Sequence, residues 1–203
     1  MEEMMKWSKL KKQLEDFICP SLKGRVEFWI TNYRKAADQL GRAYITVDRK
    51  EVINMCTLKK EVAIYYEENQ LRENDNIDLE QDNIDEDNVI FDILRRVGFS
   101  EDILKRIARN RSIHDMAIKN VEEQGIFSQY DFLEAVKKFL NSPIEESLKS
   151  DNPIIKSLAL IDRRIGKRTL NMLKESIKNE NDIVKYFYKL RCEAEGIKAV
   201  SEV

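Results

Sequence analysis

The sequence predicts an α+β fold, and three observations carry that prediction. Apolar and polar residues alternate between Gly24 and Cys56, as they do in strands with one buried face. Helix-spaced apolar stripes precede this stretch and fill most of the chain after it. Gly and Pro number only 6 and 3 in 203 residues, which suits helices better than a many-turned β fold.

The first helix is expected over 8–18. Ser8 is placed to cap it, Leu10, Leu14, Phe17 and Ile18 form its stripe, and Pro20 ends it. Three strands follow, near 24–33, 41–48 and 51–56. Val26, Phe28 and Ile30 share one face of the first, Ala43, Ile45 and Val47 one face of the second, and Ile53 and Met55 continue the pattern. Gly41 punctuates the first connection, and Asp48-Arg49-Lys50-Glu51 reads as a turn. Two or three antiparallel strands need a cover for their apolar side. The helix that follows directly, 57–71, is the first candidate, with Thr57 as cap and the stripe Leu58, Val62, Tyr65 and Tyr66.

Between Arg72 and Asn88 the periodicity fails. Residues 74–102 carry ten acidic and two basic groups, net −8, while the whole chain is only −2. Like charges at this density oppose compaction, so 74–88 reads as an acidic linker or loop between a small α+β unit over 1–73 and a helical region over 89–203. A docking surface or a nucleic-acid mimic is the functional alternative. A calcium loop is disfavoured because the acids lack its spacing and its Gly.

Short helices come next. Ile90, Phe91, Leu94 and Val97 form a stripe closed by Gly98, and Ser100 is placed to cap Ile103, Leu104, Ile107 and Ala108. Ser112 with Asp115, and Ser128 with Asp131, resemble capping boxes that open two further helices. Asn152-Pro153 is a strong start signal. The stripe Ile154, Leu158, Ile161 and Ile165 then leads to Gly166, beyond which Leu170, Leu173 and Ile177 are rotated by roughly 120° at about 100° per residue. A straight helix could not bury both sets on one surface, so it must bend near Gly166 or be wrapped on two sides. Val184, Phe187 and Tyr188 mark a last helix ending at Gly196. The helical region can pack with the first unit as one domain.

Several chemistries lack their residues. His114 is the sole histidine, which excludes sites needing two or three His ligands, and no metal site is expected. Cys19, Cys56 and Cys192 are odd in number and far apart, which argues against a disulfide framework and for a reducing cytoplasm. No apolar run approaches the roughly 20 residues of a membrane span, and none near Met1 resembles a signal peptide. No glycine-rich phosphate loop or dinucleotide fingerprint occurs, so no cofactor is expected.

The most distinctive cluster is Asp162-Arg163-Arg164-Ile165-Gly166-Lys167-Arg168. Arg163 and Lys167, like Arg164 and Arg168, are i and i+4, and on a helix the four cations form one basic flank. Such a flank suits a polyanion or an acidic protein surface. It can equally be solvated, or paired with Asp162, Glu175 or the acidic segment. A second region mixes Phe28, Trp29, Tyr33, Arg34, Lys35, Arg42 and Tyr44, where exposed rings beside cations could stack on bases. Tyr44 opposes the apolar alternation and is the best candidate for an exposed ring.

The segments Trp7-Ser8-Lys9-Leu10-Lys11-Lys12-Gln13-Leu14-Glu15, Ser21-Leu22-Lys23-Gly24-Arg25-Val26, Gly41-Arg42 with Ile45-Thr46-Val47-Asp48, and Leu160-Ile161-Asp162-Arg163-Arg164-Ile165-Gly166-Lys167-Arg168-Thr169-Leu170 resemble a family of uncharacterised bacterial proteins. The resemblance implies a bacterial, cytosolic context and no particular activity. The expected function is that of a non-enzymatic binding or regulatory protein using Arg163, Arg164, Lys167 and Arg168, with Arg25, Arg42 and Tyr44 as further contacts and a protein or nucleic acid as partner. The alternatives are a nucleic-acid-associated protein and a hydrolase or transferase working through paired carboxylates.

Overall fold

A computed structural model describes residues 6–33, 40–73 and 89–197. The acidic segment 74–88, together with Arg34 and Lys35, lies outside the described residues. The architecture is α+β: a small antiparallel sheet near the N-terminus, with helices before and after it and a helical C-terminal region. The chain divides into two compact units, residues 1–59 with 127–203, and residues 60–126.

The first unit holds helix α1 (Trp7–Phe17) and strands β1 (Val26–Asn32), β2 (Gly41–Val47) and β3 (Lys50–Cys56), ordered β1-β2-β3. Val26 pairs with Val47, Phe28 with Ile45 and Ile30 with Ala43, so the alternation in the sequence becomes one apolar face. Phe28, Ala43, Ile45 and Met55 are fully buried. The β2–β3 turn is tighter than the sequence suggests. Asp48 and Arg49 both take left-handed φ, 50° and 68°, and Lys50 is already in β3. That is the geometry whose twist matches a two-residue hairpin. Arg25 clamps the turn, accepting the Asp48 N–H on its carbonyl at 2.8 Å and donating twice to the Asp48 carboxylate.

The apolar face is covered by α1 and by α5 (Gln129–Asn141). Phe132 of α5 stacks on Phe28 at 6.3 Å and meets Trp7 edge-on at 5.9 Å; Phe17 meets Phe139 at 6.0 Å. Fully burying Phe28, Phe132 and Phe139 contributes about 1.5–3 kcal/mol each. The Ser128–Asp131 capping box that opens α5 is complete, with both reciprocal bonds formed. Helices α6 (Ile144–Lys149), α7 (Pro153–Leu160), α8 (Lys167–Leu173) and α9 (Asp182–Ala194) finish this unit, with a 3₁₀ turn over Ser176–Asn179. Asn152 caps α7 by accepting from the Ile154 and Ile155 N–H groups.

The second unit begins within α2 (Thr57–Glu73) and contains α3 (Val89–Arg96) and α4 (Glu101–Glu123). Ser112 and Asp115 do not open a helix. They sit inside α4, which runs unbroken because no Gly or Pro interrupts Glu101–Glu123. Nor does Ser8 open α1, which starts one residue earlier at Trp7.

Gly41 is the most closely enclosed glycine of the first unit. A Cβ there would meet the Gln129 Oε1 atom, the Thr31 carbonyl oxygen at 2.5 Å and Asn32 Oδ1 at 2.9 Å. Gln129 itself donates to Asn32 Oδ1 at 3.1 Å, so the crowding atoms are tied together. Gly41→Ala is expected to cost about 1–3 kcal/mol through overpacking, read as a lower urea midpoint at unchanged slope.

Candidate functional site: the Ile161–Gly166 turn and the outer face of the sheet

The basic cluster does not lie along one helix. Helix α7 stops at Leu160, residues 161–166 form a turn, and α8 starts at Lys167. The break reconciles the two apolar stripes, since Ile154, Leu158 and Ile161 are buried before it and Leu170 after it without sharing a helix axis.

The side chain of Asp162 is wholly buried and organises the turn. Its Oδ1 accepts the Arg164 N–H at 2.7 Å, and its Oδ2 accepts Nε and Nη2 of the Arg164 guanidinium at 2.9 and 2.7 Å. The same guanidinium lies over Phe17 at 4.4 Å and near Phe139 at 5.6 Å. The turn is also stitched to the chain just after α1. The Cys19 N–H donates to the Ile161 carbonyl at 2.9 Å and the Arg163 N–H to the Phe17 carbonyl at 2.8 Å.

Beneath the turn lies Arg191 of α9, only 3% exposed. Its Nη1 donates to the carbonyls of Ile161 and Asp162 at 3.3 and 3.4 Å, and its Nη2 to that of Ile165 at 3.0 Å. Its charge is balanced by Glu195, whose Oε1 lies 3.3 Å from Nη2 and also accepts from Ser21 Oγ at 3.0 Å. Three converging carbonyl oxygens suit a planar five-donor cation better than any other side chain. Arg191 escaped the sequence reading, although a signal existed. It falls at i+7 from Val184 and i+4 from Phe187, so a cation stands in an otherwise apolar stripe.

Among the predicted site residues, Arg164 is held by Asp162. Lys167 donates to the Glu195 carbonyl at 2.8 Å, just past the end of α9, where a cation also complements the helix dipole. Arg163 and Arg168 are exposed, with the Arg163 guanidinium 6.0 Å from the Phe17 ring. The structure gathers Arg163 and Arg164 at Phe17 and leaves Lys167 and Arg168 on α8.

On the outer face of the sheet, Tyr44 is half-buried. It stacks on Trp29 at 6.2 Å and 12°, with the Arg42 guanidinium 4.4 Å from its ring centroid and Lys11 4.1 Å over Trp29. Arg42 pairs with Glu51 at 3.0 Å, and Trp29 Nε1 donates to Thr46. The cations that could greet a base thus bracket the rings themselves. A groove of about 380 Å³ runs between Leu10, Gln13 and Phe17 of α1 and Lys137, Leu140 and Asn141 of α5.

Burial raises the Cys192 thiol above its ordinary range, which makes it a poor nucleophile. Burial likewise raises Tyr188, whose hydroxyl donates to the Leu170 carbonyl. His114 lies midway along α4, exposed, with Nδ1 2.6 Å from Glu68 Oε1. Among the described residues no three His, Cys, Asp or Glu side chains are grouped to hold a metal ion, and no helix is long and apolar enough to cross a membrane.

These features define a two-unit α+β protein, one unit built on a helix-covered sheet and locked by a buried guanidinium. The chain belongs to the SF0329 protein family, which matches residues 6–192. No curated protein and no solved structure matches it.

Arg191→Met removes the Arg191 donors from the carbonyls of Ile165, Ile161 and Asp162, the last two keeping the Cys19 and Ile165 N–H groups, and leaves Glu195 without its cation. The expected cost is about 3–5 kcal/mol, measured by urea unfolding. A second expectation concerns pH. The Arg25 hydrogen bonds hold the Asp48 carboxyl below its ordinary value of 3.8. A depressed carboxyl stabilises the fold above its unfolded-state pKa, and that contribution is lost as pH falls through the folded-state value. In an NMR titration, Arg25→Ala should move the Asp48 midpoint upward.

Proposed function

We propose that this chain is a non-enzymatic binding protein whose partner is another protein. The observation that carries this reading is the arrangement of α2 within the second unit. Lys60 pairs with Glu122 at 2.7 Å, Glu67 accepts from Asn120 at 2.7 Å, and Glu68 meets His114, so these three charged groups of α2 turn toward α4. Val62, Tyr65 and Tyr66 point away from it. At about 100° per residue the two sets lie roughly 170° apart around the helix. Tyr65 and Tyr66 are 61% and 63% exposed. A water-facing surface gains nothing from two tyrosines and a valine at helical spacing, whereas a protein interface does. Helix α3 repeats the theme. Phe91 is buried and packs with Leu104 and Ala108 of α4, while Ile90, Ile93 and Val97 are exposed.

The nucleic-acid reading has less support. Arg164, Lys167, Arg25 and Arg42 each spend their donors on a partner within the chain, and polyanion affinity follows the number of cations free to neutralise phosphate. The carboxylate-enzyme reading also has less. A general acid needs a raised pKa, whereas the described carboxylates that depart from their ordinary values, Asp48 and Glu175, are lowered, by Arg25 and Lys178.

The test is a photo-crosslinking residue at position 65 of the full chain, expressed in the native host, with position 105 on α4 as an exposed control. A discrete protein adduct at 65, weakened by Val62→Glu and absent at 105, is expected. Equal yields at both positions, or adducts only with nucleic acid, would overturn the reading.

A further inference from the structure

We propose that the outward face of α2 pairs antiparallel with the same face of a second copy of this chain, about a two-fold axis near Tyr66. The inference rests on the protein-binding reading above and names its partner. Its basis is charge placement. Glu61 and Arg72 are eleven residues apart, which at about 100° per residue leaves them roughly 20° apart around the helix, on one flank of the Val62, Tyr65 and Tyr66 face. When a helix pairs antiparallel with its own copy, each flank meets itself with the chain direction reversed. Residue i then faces residue j wherever i and j are equidistant from the axis.

An axis near Tyr66 sets Glu61 of each copy opposite Arg72 of the other, giving two ion pairs across the interface. Each Arg72 already holds Glu68 of its own helix at 3.1 Å and would lie between two carboxylates. The axis also brings the two Tyr66 rings together, with Tyr65 and Val62 on either side. Sliding one copy by about one helical turn, so that the axis moves toward the N-terminus, would overlap more apolar surface. It would also move Glu61 toward Glu68 of the second copy on the same flank, a like-charge contact. The charges therefore select one register. One helical face is smaller than the roughly 800 Å² per partner of a standard interface, so the pairing is weak, concentration-dependent and salt-sensitive.

Charge reversal provides the test, read by sedimentation velocity over a concentration series at low salt. The purified wild-type chain is expected to move from monomer to dimer as concentration rises. Glu61→Arg sets Arg against Arg and Arg72→Glu sets Glu against Glu, so each variant alone should stay monomeric where the wild type dimerises. An equimolar mixture restores both opposite-charge pairs, and its dimer should return. Glu61 and Arg72 are exposed, and circular dichroism verifies that each variant folds. If a variant does not fold, the crosslinking residue at position 65 of the purified wild-type background decides, with self-adducts expected. A wild-type chain that is monomeric throughout, a mixture that stays monomeric, or single variants that dimerise like the wild type would overturn the proposal. Adducts at position 65 to a different protein in the host, with a monomeric purified chain, would sink this inference and leave the binding reading standing. No protein adducts at all would sink both.

Discussion

The guanidinium of Arg191 is the constraint on which the first unit depends. Burying a cation costs several kcal/mol unless every donor finds a partner and the charge is met. Here three main-chain carbonyls and Glu195 supply partners for both terminal nitrogens, while the buried Nε–H has none, and the carbonyls belong to the turn between α7 and α8. The turn in turn bonds to the chain around Phe17 and Cys19. One side chain near the C-terminus therefore fixes the relation of three segments far apart in sequence: the end of α1, the 161–166 turn and α9.

This arrangement explains why the Asp162–Arg168 cluster stands out in the sequence. Asp162 binds its neighbour Arg164, Lys167 reaches the end of α9, and the main chain between them serves Arg191. Most of the charge in the cluster is spent inside the unit. The outer face of the sheet follows the same logic. Arg42 and Lys11 sit against the Tyr44 and Trp29 rings, and Arg42 is further tied to Glu51.

The strands were legible because alternation reports a buried face directly. Val26, Phe28, Ala43, Ile45 and Met55 are all in the core the pattern indicated. Caps were legible where the side chain makes the bond, as at Ser128 and Asn152, and misleading at Ser112, where the residues of α4 favour continuing the helix. The stripe on α2 was legible as apolar but not as exposed, because periodicity gives a face without saying what it meets. Helix-spaced cations at 163–168 suggested a helix, yet the buried Asp162 competes for the main chain at Arg164 and makes a turn instead. The α9 stripe marks Arg191 as a cation on a buried face, but nothing local says that the Ile165 carbonyl is its partner.

The first unit draws on both ends of the chain, with residues 60–126 inserted between β3 and α5. A ribosome making this protein finishes all three strands well before it reaches Phe132 and Phe139, which shield them. During that interval the part of the nascent sheet's greasy side that α5 covers stays wet, and no amount of local propensity can hasten its closure. The inserted stretch thus sets a delay, and lengthening or shortening it changes how long the young chain is open to mispairing.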